Sequence, residues 1–371
     1  MKRTLLAIGL ALMLGTSVQA KTPKEVLEPY KAFQAAIKAN DMKAAHKYGH
    51  AAWQAAEKHL GDSKTTSDLA QNYATLKPQG KSLKEQVKAM KRSMEMTSLY
   101  GEDADSIYME RGVGLLELHT RAGDTHKIRK DAKKLLEYAK KNNQDRTVFY
   151  GEALTIMAGL DSSNRNGDAL IKTTSEALDV FENPDENYPS AYPIFANLYQ
   201  GFGHEYNGDI LQAALSYQKV MDTVGHLEYS THPVVGRALG RWSHMRTRLH
   251  SEGKLDEAKE KGLCDCWPYD VERNESVKPI KRVPPNFPSE ALGQSVSGYT
   301  IVQFDLNDEG EVINPEIIVS WPPEVYEKSS LRSLAKWEYS ARRPDETDKD
   351  RKNIVTTIQY RIEDRSGEPV Y

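Results

Sequence analysis

Cysteine is almost missing from this chain. Cys264 and Cys266, in a single C-x-C pair, are all there is. A fold stapled by several disulfides is excluded, and so is a multi-cysteine metal centre. Basic residues are not in excess either: 50 Lys and Arg stand against 53 Asp and Glu. That balance gives no polycationic footprint for nucleic acid, and a mean hydropathy of −0.65 argues against a membrane surface. No H-E-x-x-H, Walker loop, dinucleotide fingerprint or nucleophile elbow occurs. After Cys266 there is no histidine at all, so Ser297 and Ser320 have no base for a triad in that region. His46 and His50 lie one helical turn apart, but two imidazoles are too few to hold a metal. Paired carboxylates are too common in so charged a chain to mark a site. No enzyme, cofactor or metal is expected.

Long apolar runs are also lacking. The one apolar stretch, Thr4 to Thr16, is shorter than the roughly 20 residues of a spanning helix. Lys2 and Arg3 precede it and Val18-Gln19-Ala20 follows, the pattern of a secretory signal with a small-residue cleavage site. Residues 1–20 are therefore expected to be a signal peptide, and the mature chain to be exported and soluble in the periplasm. The rival reading is an uncleaved inner-membrane anchor. In an oxidising compartment Cys264 and Cys266 can form a disulfide, though so short a ring is strained. Two plain thiols or a local staple where the helical part ends is the simpler reading, with metal binding and thiol exchange as the alternatives.

From Pro23 to Gly262 the chain is rich in Ala, Leu, Lys, Glu and Gln, with apolar residues at helical spacing. Turn signals stand at Asn40-Asp41, Gln79-Gly80, Gly123-Asp124, Gly167-Asp168, Gly208-Asp209 and Gly253-Lys254, about 40 to 45 residues apart. A helix on either side of each turn makes stacked hairpins, each burying its apolar face on the next. Gly lets the chain leave the first helix through a left-handed residue, and Asp or Asn after it caps the second.

Particular residues here resemble tetratricopeptide (TPR) repeats. Gly201 stands where the first helix needs a small residue, and Gly208-Asp209-Ile210-Leu211-Gln212-Ala213 then Tyr217 follow. Trp242 with Gly253-Lys254-Leu255-Asp256-Glu257-Ala258 repeats the pattern. The spacing resembles the longer TPR variety of kinesin light chains, with connector echoes at Tyr100-Gly101-Glu102-Asp103, at Ser230 to Val235 and, more weakly, at Leu60-Gly61-Asp62. The resemblance implies a superhelical solenoid that holds a protein or peptide in its concave groove. Asn197, Gln200, His204, Arg241, His244 and Arg248, from first helices, are the candidate groove residues; a merely solvated face is the plain alternative.

After Cys266 the composition changes. Trp267-Pro268 stops the helix, and Pro279, Pro284 and Pro285 mark an extended linker. Alternation then predicts a strand over Thr300 to Leu306, with Val302, Phe304 and Leu306 on one face and Ile301 and Gln303 on the other. Asn307-Asp308-Glu309-Gly310 predicts a hairpin turn. A second strand is expected over Glu311 to Ser320, a helix over Pro323 to Lys336, an extended stretch from Trp337 to Ala341 and a last strand over Asn353 to Ile362. Helices are expected to cover one face of this antiparallel sheet.

The elements Phe287-Pro288-x-x-Ala291, Gly298, Phe304-Asp305-Leu306, Asp308-Glu309-Gly310, Val319-Ser320-x-Pro322 and Trp337-Glu338-Tyr339 occur in order, and together they resemble the TonB C-terminal family. The family's Tyr-Pro is Phe287-Pro288 here, and its Trp-x-Tyr-x-Pro is Trp337-Glu338-Tyr339-Ser340 without the Pro. The fold class that follows is multidomain: an all-α TPR-like superhelical solenoid, then a small α+β domain with an antiparallel sheet. Expected boundaries are 1–20 signal, 21–266 helical repeats, 267–285 linker, 286–363 TonB-like domain and 364–371 tail. The resemblance implies an adaptor for energy-dependent transport across the outer membrane. Its partner would be a TonB-dependent transporter or TonB-type protein, whose short segment adds as a strand to an open sheet edge. The edge expected to receive it is Ile354, Val355, Thr356, Thr357, Ile358, Gln359 and Tyr360, with Val283, Pro284, Pro285 and Asn286 as a receptor-contact segment. A periplasmic envelope scaffold without a transport role is the alternative.

Overall fold

The computed structural model describes residues 22–77, 82–182, 190–224, 233–264, 277, 279–289, 291, 298–321, 324–360, 362–363 and 369–370. The proposed signal peptide, the turn at Gly80, most of the linker and most of the tail lie outside that range. Twelve described helices come first: α1 (Lys24–Lys38), α2 (Met42–Leu60), α3 (Lys64–Ala74), α4 (Leu83–Glu95), α5 (Ala104–Arg121), α6 (Thr125–Lys141), α7 (Val148–Asp161), α8 (Gly167–Glu182), α9 (Tyr192–Tyr206), α10 (Ile210–Val224), α11 (Pro233–Ser251) and α12 (Leu255–Glu260). Strands β1 (Gly298–Leu306) and β2 (Val312–Trp321), helix α13 (Glu327–Leu334) and strand β3 (Ile354–Tyr360) follow. A last pair, β4 (Ile362–Glu363) and β5 (Pro369–Val370), runs antiparallel.

Local chemistry explains the helical hairpins. Asn40, Gly123, Gly208 and Gly253 all adopt positive φ at the expected turns, where leaving a helix through a left-handed residue costs least. Asp41, Asp124 and Asp209 then cap the next helix by accepting from the backbone N–H of Ala44, Lys127 and Gln212. Gly167 departs from the expectation. The left-handed residue before α8 is Arg165, and Asn166 is the cap, accepting from the N–H of Ala169. Gly167 is already helical and buried; a Cβ there would meet the Asn207 side chain at 2.0 Å. Close packing, not turning, requires that glycine.

The described chain divides into two compact units, the division falling inside α7 near Met157. The first is built on α1 to α6. Val26, Phe33, Trp53, Leu69, Tyr73 and Met90 are buried together in its core. Gln86, fully buried, donates to the carbonyls of Tyr73, Ala74 and Leu76. It satisfies acceptors left over at the end of α3, as every helix terminus requires. Arg111, only 2% exposed, donates to Ser67, Ser93 and Gln71 and pairs with Asp68.

The second unit joins α8 to α12 with the sheet. Strand order is β2-β1-β3, all antiparallel. Val302, Phe304, Leu306, Ile354 and Ile358 face α13 and pack with Tyr326, Leu334 and Trp337. The alternate residues Tyr299, Ile301 and Val319 are buried with Trp242, Leu239 and Met245 of α11. Helices thus cover both faces, where the sequence suggested one. Burying an aliphatic side chain such as Ile301 or Val319 contributes about 1.5–3 kcal/mol, so the second face is a substantial part of this unit's core. The close approach depends on Gly240, where a Cβ would meet the Tyr299 ring at 2.3 Å. The Tyr299 hydroxyl donates to the Gly236 carbonyl on the same helix.

Candidate functional site

A three-stranded sheet has two outer edges, and these differ. β2 is interrupted. Its register with β1 shifts between Ile301 and Val302 and again between Gln303 and Asp305. Asn314, opposite the second shift, has positive φ. Pro315 beside it has no N–H to offer a neighbour. The start of the strand is also covered: Glu311 and Lys281 both bridge to Glu338. Tyr339 N–H donates to Gly310 at 3.1 Å, Ile280 and Lys281 donate to the Glu338 carbonyl, and Glu338 donates back to Lys281. Gly310, at φ +91°, has the Tyr339 carbonyl so close that a Cβ would sit 2.3 Å from it.

Among the described residues β3 has none of these guards. All seven residues pair with β1 without a shift, from Phe304↔Ile354 to Gly298↔Tyr360. It contains no proline or glycine, and among the described residues β1 is its single ladder partner. Its side chains pack on both faces of the sheet. Ile354, Ile358 and Tyr360 are buried on the α13 side. Val355 packs toward α11, and the Thr357 hydroxyl lies 2.8 Å from that of Ser243. Thr356 and Gln359 are half-buried. Among the described residues nothing pairs with its outer line of backbone N–H and C=O groups, the template that strand addition uses. The strand's start is fixed. Asn353 N–H donates to Asp305 at 3.0 Å. Arg351, 3% exposed, donates to the Asn307 and Ser340 carbonyls and pairs with Glu346 at 2.7 Å.

The segment Val283, Pro284, Pro285 and Asn286 runs along α13. The Val283 carbonyl accepts from Ser333 at 2.5 Å and from the Trp337 indole at 3.0 Å. Ser329 donates to the Asn286 carbonyl. Phe287, next in the chain, meets Tyr326 and Tyr360 edge-on, and those two rings stack with centroids 4.1 Å apart. Burial, with Tyr360 nearby, pushes the Tyr326 phenol up to about 12. The segment therefore ends against the last residue of β3.

The six groove residues lie on α9 and α11. Asn197 is buried and donates to the Pro193 carbonyl, while its buried Oδ1 has no hydrogen-bond partner among the described residues. Gln200 donates to Ser175 of α8. His204 sits 3.8 Å from Asp209, and burial holds its imidazole below the usual range despite that carboxylate. Arg241 pairs with Glu205 at 2.5 Å and lies over the Phe202 ring. Burial alone would raise the Glu205 carboxyl, but Arg241 and a hydrogen bond from Tyr217 outweigh it and leave it lowered. Near it, burial and then repulsion from Arg241 hold Arg237 below the usual guanidinium range. His244 is half-buried, and Arg248 is exposed and pairs with Glu252 at 3.7 Å. Arg241 ties α11 to α9, a role that helical periodicity alone did not reveal.

Cys264 is disulfide-bonded, and Cys266 lies outside the described residues. His46 is hydrogen-bonded to the Lys77 carbonyl at 2.6 Å, while His50 packs on Trp53 and Tyr73. Among the described residues no three His, Cys, Asp or Glu side chains converge as a metal site would need. Among them, too, no helix is long and apolar enough to cross a membrane.

The family comparison falls on the sheet-bearing end. Residues 283–362 match the family model of the Gram-negative bacterial TonB protein C-terminal. Protein TonB of Yersinia enterocolitica is 27% identical over 92 residues, covering 25% of this chain and 33% of that protein. Protein TonB of Klebsiella aerogenes is 33% identical over 67 residues, covering 18% and 28%. The chain thus spans about a third of the length of the curated relatives it matches. The solution NMR structure of the Pseudomonas aeruginosa TonB CTD aligns with 26% of this chain and 99% of its own, at 19% identity and a TM-score of 0.23. The crystal structure of BtubC (BKLC) from P. vanneervenii aligns with 67% of this chain and 95% of its own, at 12% identity and a TM-score of 0.44.

Proposed function

We propose that this chain, whose residues 283–362 carry a TonB C-terminal domain, is an exported TonB-like adaptor assisting energy-dependent transport across the outer membrane. It acts by holding partners, not by chemistry. The observation that carries this reading is the contrast between the edges: β2 is broken and covered, and β3 is regular and open. A partner's extended segment would lie along Ile354 to Tyr360, bound through main-chain hydrogen bonds. Val283 to Asn286 would touch the partner where the chain turns in at Phe287. The helical repeats would hold a second protein, with Asn197, Gln200, His204, Arg241, His244 and Arg248 as the groove. If residues 1–20 are removed on export, that second protein supplies the link to the inner-membrane motor. An intact mass beginning at Lys21 in the soluble periplasmic fraction is the expected result, and a full-length membrane-bound species would instead make the N-terminus an anchor.

The test of the edge is direct. Synthetic TonB-box peptides are titrated into the full chain and into Thr356→Pro and Gln359→Pro. The chain should bind the peptides. Proline at one or both positions should weaken binding about tenfold, the equivalent of one main-chain hydrogen bond, while the helical signal stays unchanged. No binding to any such peptide would favour the envelope-scaffold reading. Equal binding by both proline variants would show that the peptide sits elsewhere.

A further inference from the structure

A cleft of about 620 Å³ lies between α2 and α4, within the first unit. Its size is in the range of recognition pockets. Lys84, Lys88 and Lys91 line it from α4. They stand at i, i+4 and i+7, so a single stripe of the helix carries all three. Each is exposed. Like charges four apart weaken a helix, so the stripe costs stability unless an anion meets it.

Neighbouring carboxylates do not meet it. Glu57 and Glu95 also line the cleft, but Arg92 takes both, at 3.0 and 3.2 Å, together with Asp62. Among the described residues none of the three lysines forms an ion pair. The cleft wall is also partly apolar. Val87 is half-buried between the lysines, while Trp53 behind it is buried, 2% exposed, with its indole N–H donating to Glu57 at 3.1 Å. The site therefore pairs surplus positive charge with a small apolar patch at Val87, in a chain whose total charge is negative.

We infer that this cleft is a docking site for an acidic, extended peptide segment of a partner protein, its carboxylates on Lys84, Lys88 and Lys91 and an apolar side chain against Val87. Charge complementarity selects the occupant. Concavity selects a peptide over a bilayer, because a flat lipid surface reaches the rim of a cleft and not its wall. The site is separate from β3 and does not rest on the strand-addition reading.

Fluorescence anisotropy with the full chain tests it. The probe is a labelled glutamate-rich peptide with one central leucine; the controls are its lysine-rich counterpart and vesicles of phosphatidylglycerol. The glutamate peptide should bind, more weakly as salt rises. K84E/K88E/K91E should lose about tenfold or more in affinity, with an unchanged circular dichroism spectrum. K43E/K47E, exposed on α2 but outside the cleft, should bind within about twofold of the parent. The inference is overturned if the triple variant binds like the parent, if both double and triple variants lose affinity equally, or if the lysine peptide binds as well. Vesicles that bind through the three lysines while the peptide does not would replace the peptide with an anionic lipid surface.

Discussion

The two edges of the sheet are made from the same chain and share one central strand, yet they are built to opposite ends. β2 carries two register shifts, a left-handed Asn314, a proline and a strap through Glu338. β3 carries seven uninterrupted pairs and, among the described residues, no guard. Edge strands left open are a liability that folds ordinarily remove. Here one edge is guarded and, among the described residues, the other is not.

Breaking the guarded edge should have the largest effect. Gly310→Ala places a side chain at φ +91° and drives it into the Tyr339 carbonyl. A loss of about 2–3 kcal/mol is expected in urea unfolding; a change below about 0.5 kcal/mol would mean that turn and strap are not coupled. Glu338→Pro should do less. It removes the hydrogen bond to the Lys281 carbonyl, worth about 1–1.5 kcal/mol. Amide exchange should quicken at Glu311 to Ile313 and stay slow through β1; uniform acceleration of the whole sheet would count against a local strap. The smallest change sharpens the comparison from the other side. Pro315→Val restores a donor to β2 and should alter stability by less than about 0.5 kcal/mol. Sedimentation at high concentration should show slightly more self-association. No change there would mean that the bulge at Asn314 guards the edge without the proline.

Much of this fold is legible in the sequence. Alternation marks β1 and β3, because a strand with its pleat buried must repeat every two residues. Asn307 to Gly310 marks the hairpin, and Gly310 does take positive φ. The hairpin turns are readable at Asn40, Gly123, Gly208 and Gly253. The sheet's second cover is not what the pattern predicted. Ile301, Val319 and Val355 carry the signal, since apolar residues on both faces of a strand mean burial on both. Nothing in one sequence says which helix supplies that cover, because the match of Gly236 and Gly240 to Tyr299 spans some sixty positions. Arg165 hides the turn before α8 for a related reason. Asn and Gly announce a left-handed residue, and Arg does not. The cleft lysines are invisible as a site in the sequence because their lack of partners depends on Arg92 reaching Glu57 across 35 residues.

The contact between the sheet and α11 also has a mechanical meaning. A strand lying along β3 and pulled lengthwise would load its ladder in shear, with every hydrogen bond bearing the tension together and not one after another. β3 would pass that load to β1 through seven paired residues. β1 is pinned to α11 by Tyr299, and β3 by the hydroxyl pair of Thr357 and Ser243. α11 is in turn tied to α9 by Arg241 and Glu205. Traction at the open edge would therefore be delivered to the helical hairpins through a rivet of one aromatic ring and two hydroxyls, without passing through the proline-rich stretch that joins the sheet to the helices in sequence.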